Sequence, residues 1–159
     1  LGLGMSDDRG VDQGQGALLF AVFVTAMTLA RLIAGPVVDR FGRVTVLRGA
    51  AASAIIGLLI VILVPVVWVD VIGIVLWGAG ASLGFPLGMS AAADDPRTAA
   101  ARVSAVATIG YVAFLAGPPL IGFLGEHIGL LGALLVVFVF IIAAGLASGA
   151  ARERGVAAR

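Results

Sequence analysis

Few side chains in this sequence can do chemistry, and most of those that can stand together. The stretch Gly35-Pro36-Val37-Val38-Asp39-Arg40-Phe41-Gly42-Arg43 gathers one acid, two arginines and two glycines, in a chain with no cysteine and a single histidine. An aspartate among arginines makes ion pairs and charge-assisted hydrogen bonds that can hold two segments together or release them. Gly35 and Asp39 are one helical turn apart and share a stripe, where Gly35 lets a neighbouring helix approach closely. Gly42 permits the tight reversal that a short connector between antiparallel helices needs. Arg31 lies on the same stripe, at i, i+4, i+8 with Gly35 and Asp39, and is the only charge well inside a long apolar run. It reads as a gate partner or structural pair, either snorkelling toward water or meeting an acid on another helix.

Other reactive arrangements are missing. His127 stands alone beside Glu126 and reads as a surface residue, so no metal or haem site is expected. No Ser/His or paired-Asp constellation exists, no carboxylate falls in the middle of an apolar run, and neither an enzyme nor a cofactor is expected. A net charge of +1 argues against a nucleic-acid partner.

The elements that must carry these residues are apolar helices. Hydrophobic residues make up 61% of the chain and charged ones 12%, against about 25% charged in ordinary soluble domains. The mean hydropathy is +1.17. Residues 17–38, 49–69, 71–93, 103–125 and 128–151 are each long enough to cross the hydrocarbon core of a bilayer, and backbone satisfaction there requires helices. The fold class is therefore all-α integral membrane, with five transmembrane helices and the lipid bilayer as the first partner. Residues 1–16 form one polar segment, 39–48 and 94–102 are loops on the opposite face, and 152–159 is a tail on that same opposite face. That face carries Arg40, Arg43, Arg48, Arg97, Arg102, Arg152, Arg154 and Arg159, whereas the other carries Arg9 alone. The positive-inside rule places the 39–48 loop and the C-terminus in the cytoplasm of a multi-pass protein of the cell (inner or plasma) membrane, and residues 1–16 outside. Asp95 is expected as an N-cap with Pro96 in the first turn of the fourth span.

Small residues and prolines mark further places. Gly80, Gly84 and Gly88 form a stripe suited to close helix contact. Pro86 should bend the third span by removing a backbone hydrogen bond, and Gly117-Pro118-Pro119 should interrupt the fourth.

The pattern G-x-x-x-D-R-x-G-R between two spans resembles the cytoplasmic-loop motif of the major facilitator superfamily, matched at Gly35, Asp39, Arg40, Gly42 and Arg43; Val44 departs where the family often has a second basic residue. The resemblance implies a transporter of twelve helices in two halves, in which the motif joins the second and third helices of each half. Three spans and a basic tail follow the motif, so the five spans resemble helices eight to twelve, and Leu1-Gly2-Leu3-Gly4 looks like the frayed end of helix seven. Residues 110–123 also look like the eleventh helix of bacterial members. A short echo, Gly35-Pro36-x4-Phe41 and Gly117-Pro118-x4-Phe123, is similar to the family's repeated triplets.

By resemblance, the first, third and fourth spans line a central cavity, which makes Thr25, Thr28, Trp77, Ser82, Thr108 and Tyr111 the side chains available to a solute. The expected function is secondary transport of a small solute by alternating access, with the motif as a conformational latch. The missing N-terminal half, in the same or a separate chain, is the expected protein partner. A five-span packing or regulatory subunit without transport of its own is the competing reading, in which the arginine loop is only a topology signal.

Overall fold

The computed structural model describes residues 13–64 and 66–152. The N-terminal segment up to residue 12, Pro65 and the tail beyond Arg152, with Arg154 and Arg159, lie outside the described residues. Among those described, every regular element is helical: α1 (Gln13–Phe41), α2 (Arg43–Leu63), α3 (Val67–Ala81), α4 (Gly84–Ala92), α5 (Ala99–Ile128), α6 (Leu130–Ala147) and a 3-10 turn (Ser148–Ala151). Five helical stretches are long and apolar enough to cross a membrane: 14–41, 43–63, 68–92, 99–128 and 131–151. The shortest holds 21 residues, about 31 Å at 1.5 Å per residue, which matches the hydrocarbon core.

The connectors are tighter than expected. The ten-residue loop 39–48 contracts to Gly42, because α1 runs on through Asp39 to Phe41 and α2 begins at Arg43. Gly42 has φ 78° and ψ 151°, a region open essentially to glycine alone. Its amide donates to the Val38 carbonyl (2.8 Å), and its carbonyl accepts from the Val46 amide (3.2 Å), so the corner leaves neither group orphaned. Gly129 makes the equivalent corner between α5 and α6, at φ 76° and ψ 150°. Glu126 and His127 accordingly sit in the last turn of α5 rather than in a loop.

Two other expectations change. Helix α5 begins at Ala99, not at Pro96. Asp95 instead organises the turn before it: its carboxylate accepts from the Arg97 amide (3.1 Å) and the Thr98 hydroxyl (3.1 Å), while the Thr98 amide donates to the Asp95 carbonyl (3.0 Å). Gly117-Pro118-Pro119 do not interrupt the fourth span, since α5 runs through all three. Membrane helices tolerate such missing amide donors, and the helix continues.

Helix α3 is the hub, packing against both α2 and α1, while α2 also packs on α6 and α5 on α6. In lipid, helices gain little from apolar burial alone and rely on close backbone approach. A Cβ on Gly57 would collide with the backbone of Gly73 and Trp77, one on Gly80 with the backbone of Ala50 and Ala54, and one on Gly78 with the Phe23 carbonyl. Between these contacts Leu58, Val61 and Ile74 are fully buried, and the Trp77 ring meets Phe23 edge-on at 5.1 Å. The Ser53 hydroxyl donates to the Leu76 carbonyl (2.8 Å), tying α2 to α3. The expected glycine stripe is thereby corrected: Gly80 is a contact, but Gly84 and Gly88 face open space. The third span breaks after α3, at Ser82 and Leu83, and Pro86 falls in the first turn of α4.

Candidate functional site

The corner at Gly42 sets the site. Because only one residue separates the helices, Arg43 becomes the first residue of α2 and is turned into the bundle, 9% exposed. There it reaches Asp94, the second residue beyond α4. Its guanidinium donates through Nη1 to Asp94 Oδ2 (2.6 Å) and through Nη2 to Asp94 Oδ1 (3.0 Å), with the Ser90 hydroxyl at 3.3 Å from Nη2. This two-pronged geometry is the strong form of an arginine–carboxylate pair. It joins residues 51 apart in sequence and ties the start of α2 to the end of the third span.

The rest of the motif behaves differently. Asp39 is exposed and makes no hydrogen bond or ion pair with the described residues, so the charge pair expected inside the motif forms instead between Arg43 and Asp94. Arg40 is exposed, with its guanidinium carbon 5.5 Å from the Phe41 ring centroid. Gly35 has nothing within 4 Å of a Cβ position, so it admits no neighbouring helix in this structure. Arg48, one turn beyond the corner, donates from Nε to the Ser148 hydroxyl (3.3 Å) and fastens the 3-10 turn after α6 to α2.

Arg31 finds no acid among the described residues. Its Nε donates to the backbone carbonyl of Ser82 (3.1 Å), at the break in the third span, and Nη2 lies 3.5 Å from the Met27 sulfur. The bond to Ser82 crosses from α1 to the junction of α3 and α4.

The six side chains expected to line a cavity are not brought together. Trp77 is 8% exposed and Ser82 wholly buried, so both belong to the packed interior. The Ser82 hydroxyl donates to the Ala79 carbonyl (2.6 Å). Thr25, Thr28, Thr108 and Tyr111 are exposed on α1 and α5. The Thr28 and Thr108 hydroxyls each donate to the carbonyl one turn back, Val24 and Ser104, as threonines in apolar helices commonly do. An open groove of about 360 Å³ does run between α1, α2 and α3, with Ala34, Val37, Phe41, Gly49 and Ala50 among its walls. It is almost wholly apolar, and none of the six residues lines it. Sequence reasoning missed Asp94 and Ser90 as partners of the motif. The signal for Asp94 was its place on the same polar face as Arg43; nothing local marked Ser90.

The family model described as Major Facilitator Superfamily matches residues 1–155. An uncharacterized MFS-type transporter of Yersinia pestis is 38% identical over 119 residues, which cover 74% of this chain and 31% of that protein. An uncharacterized transporter of Sinorhizobium fredii is 33% identical over 148 residues, covering 87% of this chain and 39% of that protein. The chain thus spans between three and four tenths of the length of these relatives, and no solved structure matches it significantly. With the family model covering nearly every residue, the chain belongs to the major facilitator superfamily.

Proposed function

We propose that this chain is a C-terminal portion of a secondary transporter that moves a small solute across the cell membrane by alternating access, with the corner at Gly42 acting as a gate on the cytoplasmic side. The observation that carries the reading is the bidentate Arg43–Asp94 pair. A charge-assisted pair at the rim of a bundle is strong enough to hold one arrangement and exposed enough for water to take over when it opens. The Asp94 side chain is 23% exposed, which fits a contact that breaks and re-forms. Asp39, on the last turn of α1, makes no pair with the described residues in this arrangement. In an alternative arrangement it has the charge to take a basic partner.

The exposed apolar faces of α1 and α5, with Thr25, Thr28, Thr108 and Tyr111 among them, are the surfaces on which the remaining helices and a solute would meet. A chain supplying one wall of a cavity needs a second wall, so the working unit includes the N-terminal half. The test begins with the native product: tagged at its own chromosomal locus and run on a denaturing gel, it is expected at more than twice the 15.9 kDa calculated for this chain. Asp39→Asn in that product is then expected to slow transport without lowering its amount in the membrane. A native band near the calculated 15.9 kDa with no co-purifying half would overturn the transport reading in favour of a packing subunit.

A further inference from the structure

Regular helix geometry asks for a bond from each amide to the carbonyl four residues earlier. Pro86 has no amide hydrogen, so the carbonyl of Ser82 loses its partner, near the middle of the 68–92 span. In hydrocarbon an unsatisfied carbonyl costs several kcal/mol, so it calls for another donor. The group that reaches it is the Arg31 Nε–H, at 3.1 Å, from a different helix. The next carbonyl, Leu83, is already taken by the Leu87 amide (3.1 Å), so helical bonding resumes one residue later.

The segment beyond this junction is lightly held. Of the nine residues of α4 only Ala92 is buried, and Gly84 and Gly88 face open space. It packs on α5, where the Phe85 ring lies over bare Gly110, and touches α2 and the 3-10 turn, while its polar anchors among the described residues are two arginines. Arg31 from α1 holds the junction before α4, and Arg43 from α2 holds Ser90 and Asp94 at its far end. The two arginines stand on opposite sides of Gly42, so a single corner brackets the whole segment.

We propose that Arg31 is the removable cap of a hinge in the third span, its Nε–H replacing the amide hydrogen that Pro86 cannot supply to the Ser82 carbonyl. Release of the cap frees α4 to swing relative to α3; re-formation locks it. This assigns Arg31 a positioning role toward backbone, independent of which solute the protein carries.

The inference predicts coupling between two residues on different helices. Arg31→Met, Pro86→Ala and the double variant are made in the intact protein, each with Met89→Cys on α4 as a reporter, and the alkylation rate of that cysteine is measured in membranes. Arg31→Met alone is expected to speed alkylation about tenfold, in line with loss of a charge-assisted hydrogen bond. In the Pro86→Ala background the same change is expected to alter the rate less than about twofold, because the substituted alanine supplies the missing amide. Effects of removing a charge from the membrane are common to both backgrounds and cancel in the cycle. Equal acceleration in both backgrounds, or none in either, overturns the proposal. Should Arg31→Met fail to accumulate, recovery of folded protein on adding Pro86→Ala supports the cap, and failure of the double variant as well overturns it.

Discussion

The two halves of the third span share one membrane crossing but are held in different ways. Val67–Ala81 is built into the bundle: Gly73, Gly78 and Gly80 press against the backbones of α2 and α1, and Ile74 and Trp77 fill the space between. Gly84–Ala92 is as rich in glycine, yet a Cβ on either glycine would meet nothing within 4 Å, and its polar anchors among the described residues are Arg31 and Arg43. Small residues give close packing only where another backbone is aimed at them. Where none is, the same residues leave a segment that charged side chains must hold. Close van der Waals packing of backbones has no open alternative, whereas a hydrogen-bonded arginine can exchange its partner for water. The difference separates a part of the span fixed by backbone contact from a part whose polar anchors are exchangeable side chains.

The widest break in this comparison is a Cβ on the packed side. Gly80→Leu is expected to prevent accumulation of folded protein, since the added atoms meet the Ala50 and Ala54 backbone, whereas Gly84→Ala and Gly88→Ala should be neutral or stabilise by up to about 1 kcal/mol. Membrane-fraction yield and thermal unfolding in detergent separate the two outcomes, and equal losses at Gly80 and Gly84 would erase the distinction. Next in size is the rim pair. Asp94→Asn keeps the shape and removes the charge, and should cost about 1.5–3 kcal/mol of stability, read as a lowered unfolding midpoint. Asp39→Asn, whose carboxylate meets no described partner, should change stability by no more than about 0.5 kcal/mol while slowing transport, so that stability and rate respond at different residues of one motif. Arg40→Gln stands at the same small end of the scale: its contact with Phe41 is exposed, and its loss should shift stability by about 0.5 kcal/mol.

The all-α class, five helices of membrane-crossing length and the family were legible in the sequence, because unbroken apolar runs and the G-x-x-x-D-R-x-G-R spacing are local patterns. The partners of the two arginines were not. Arg43 reaches Asp94 across 51 residues, and that depends on how α2 is rotated once Gly42 shortens the connector to a single residue. Arg31 reaches a backbone carbonyl, a group that every residue carries and no residue type announces. A signal did exist there, since a proline inside an apolar run orphans the carbonyl four residues before it, and that residue is Ser82. Which glycines pack was likewise hidden: Gly80 and Gly84 look equivalent along the chain and differ only in what the neighbouring helix presents. Trp77 and Ser82 showed their polar atoms in the sequence but not their burial, which comes from the central place of α3.

The most direct test of the proposed gate at Gly42 is a distance measurement across the rim. Nitroxide labels at exposed Phe41 and Arg97 in the intact protein, reconstituted in lipid, report the separation of the α1–α2 corner from the turn that follows Asp94. The account predicts two distance populations, with Asp94→Asn depleting the shorter one. A single population, unchanged by Asp94→Asn, would contradict it.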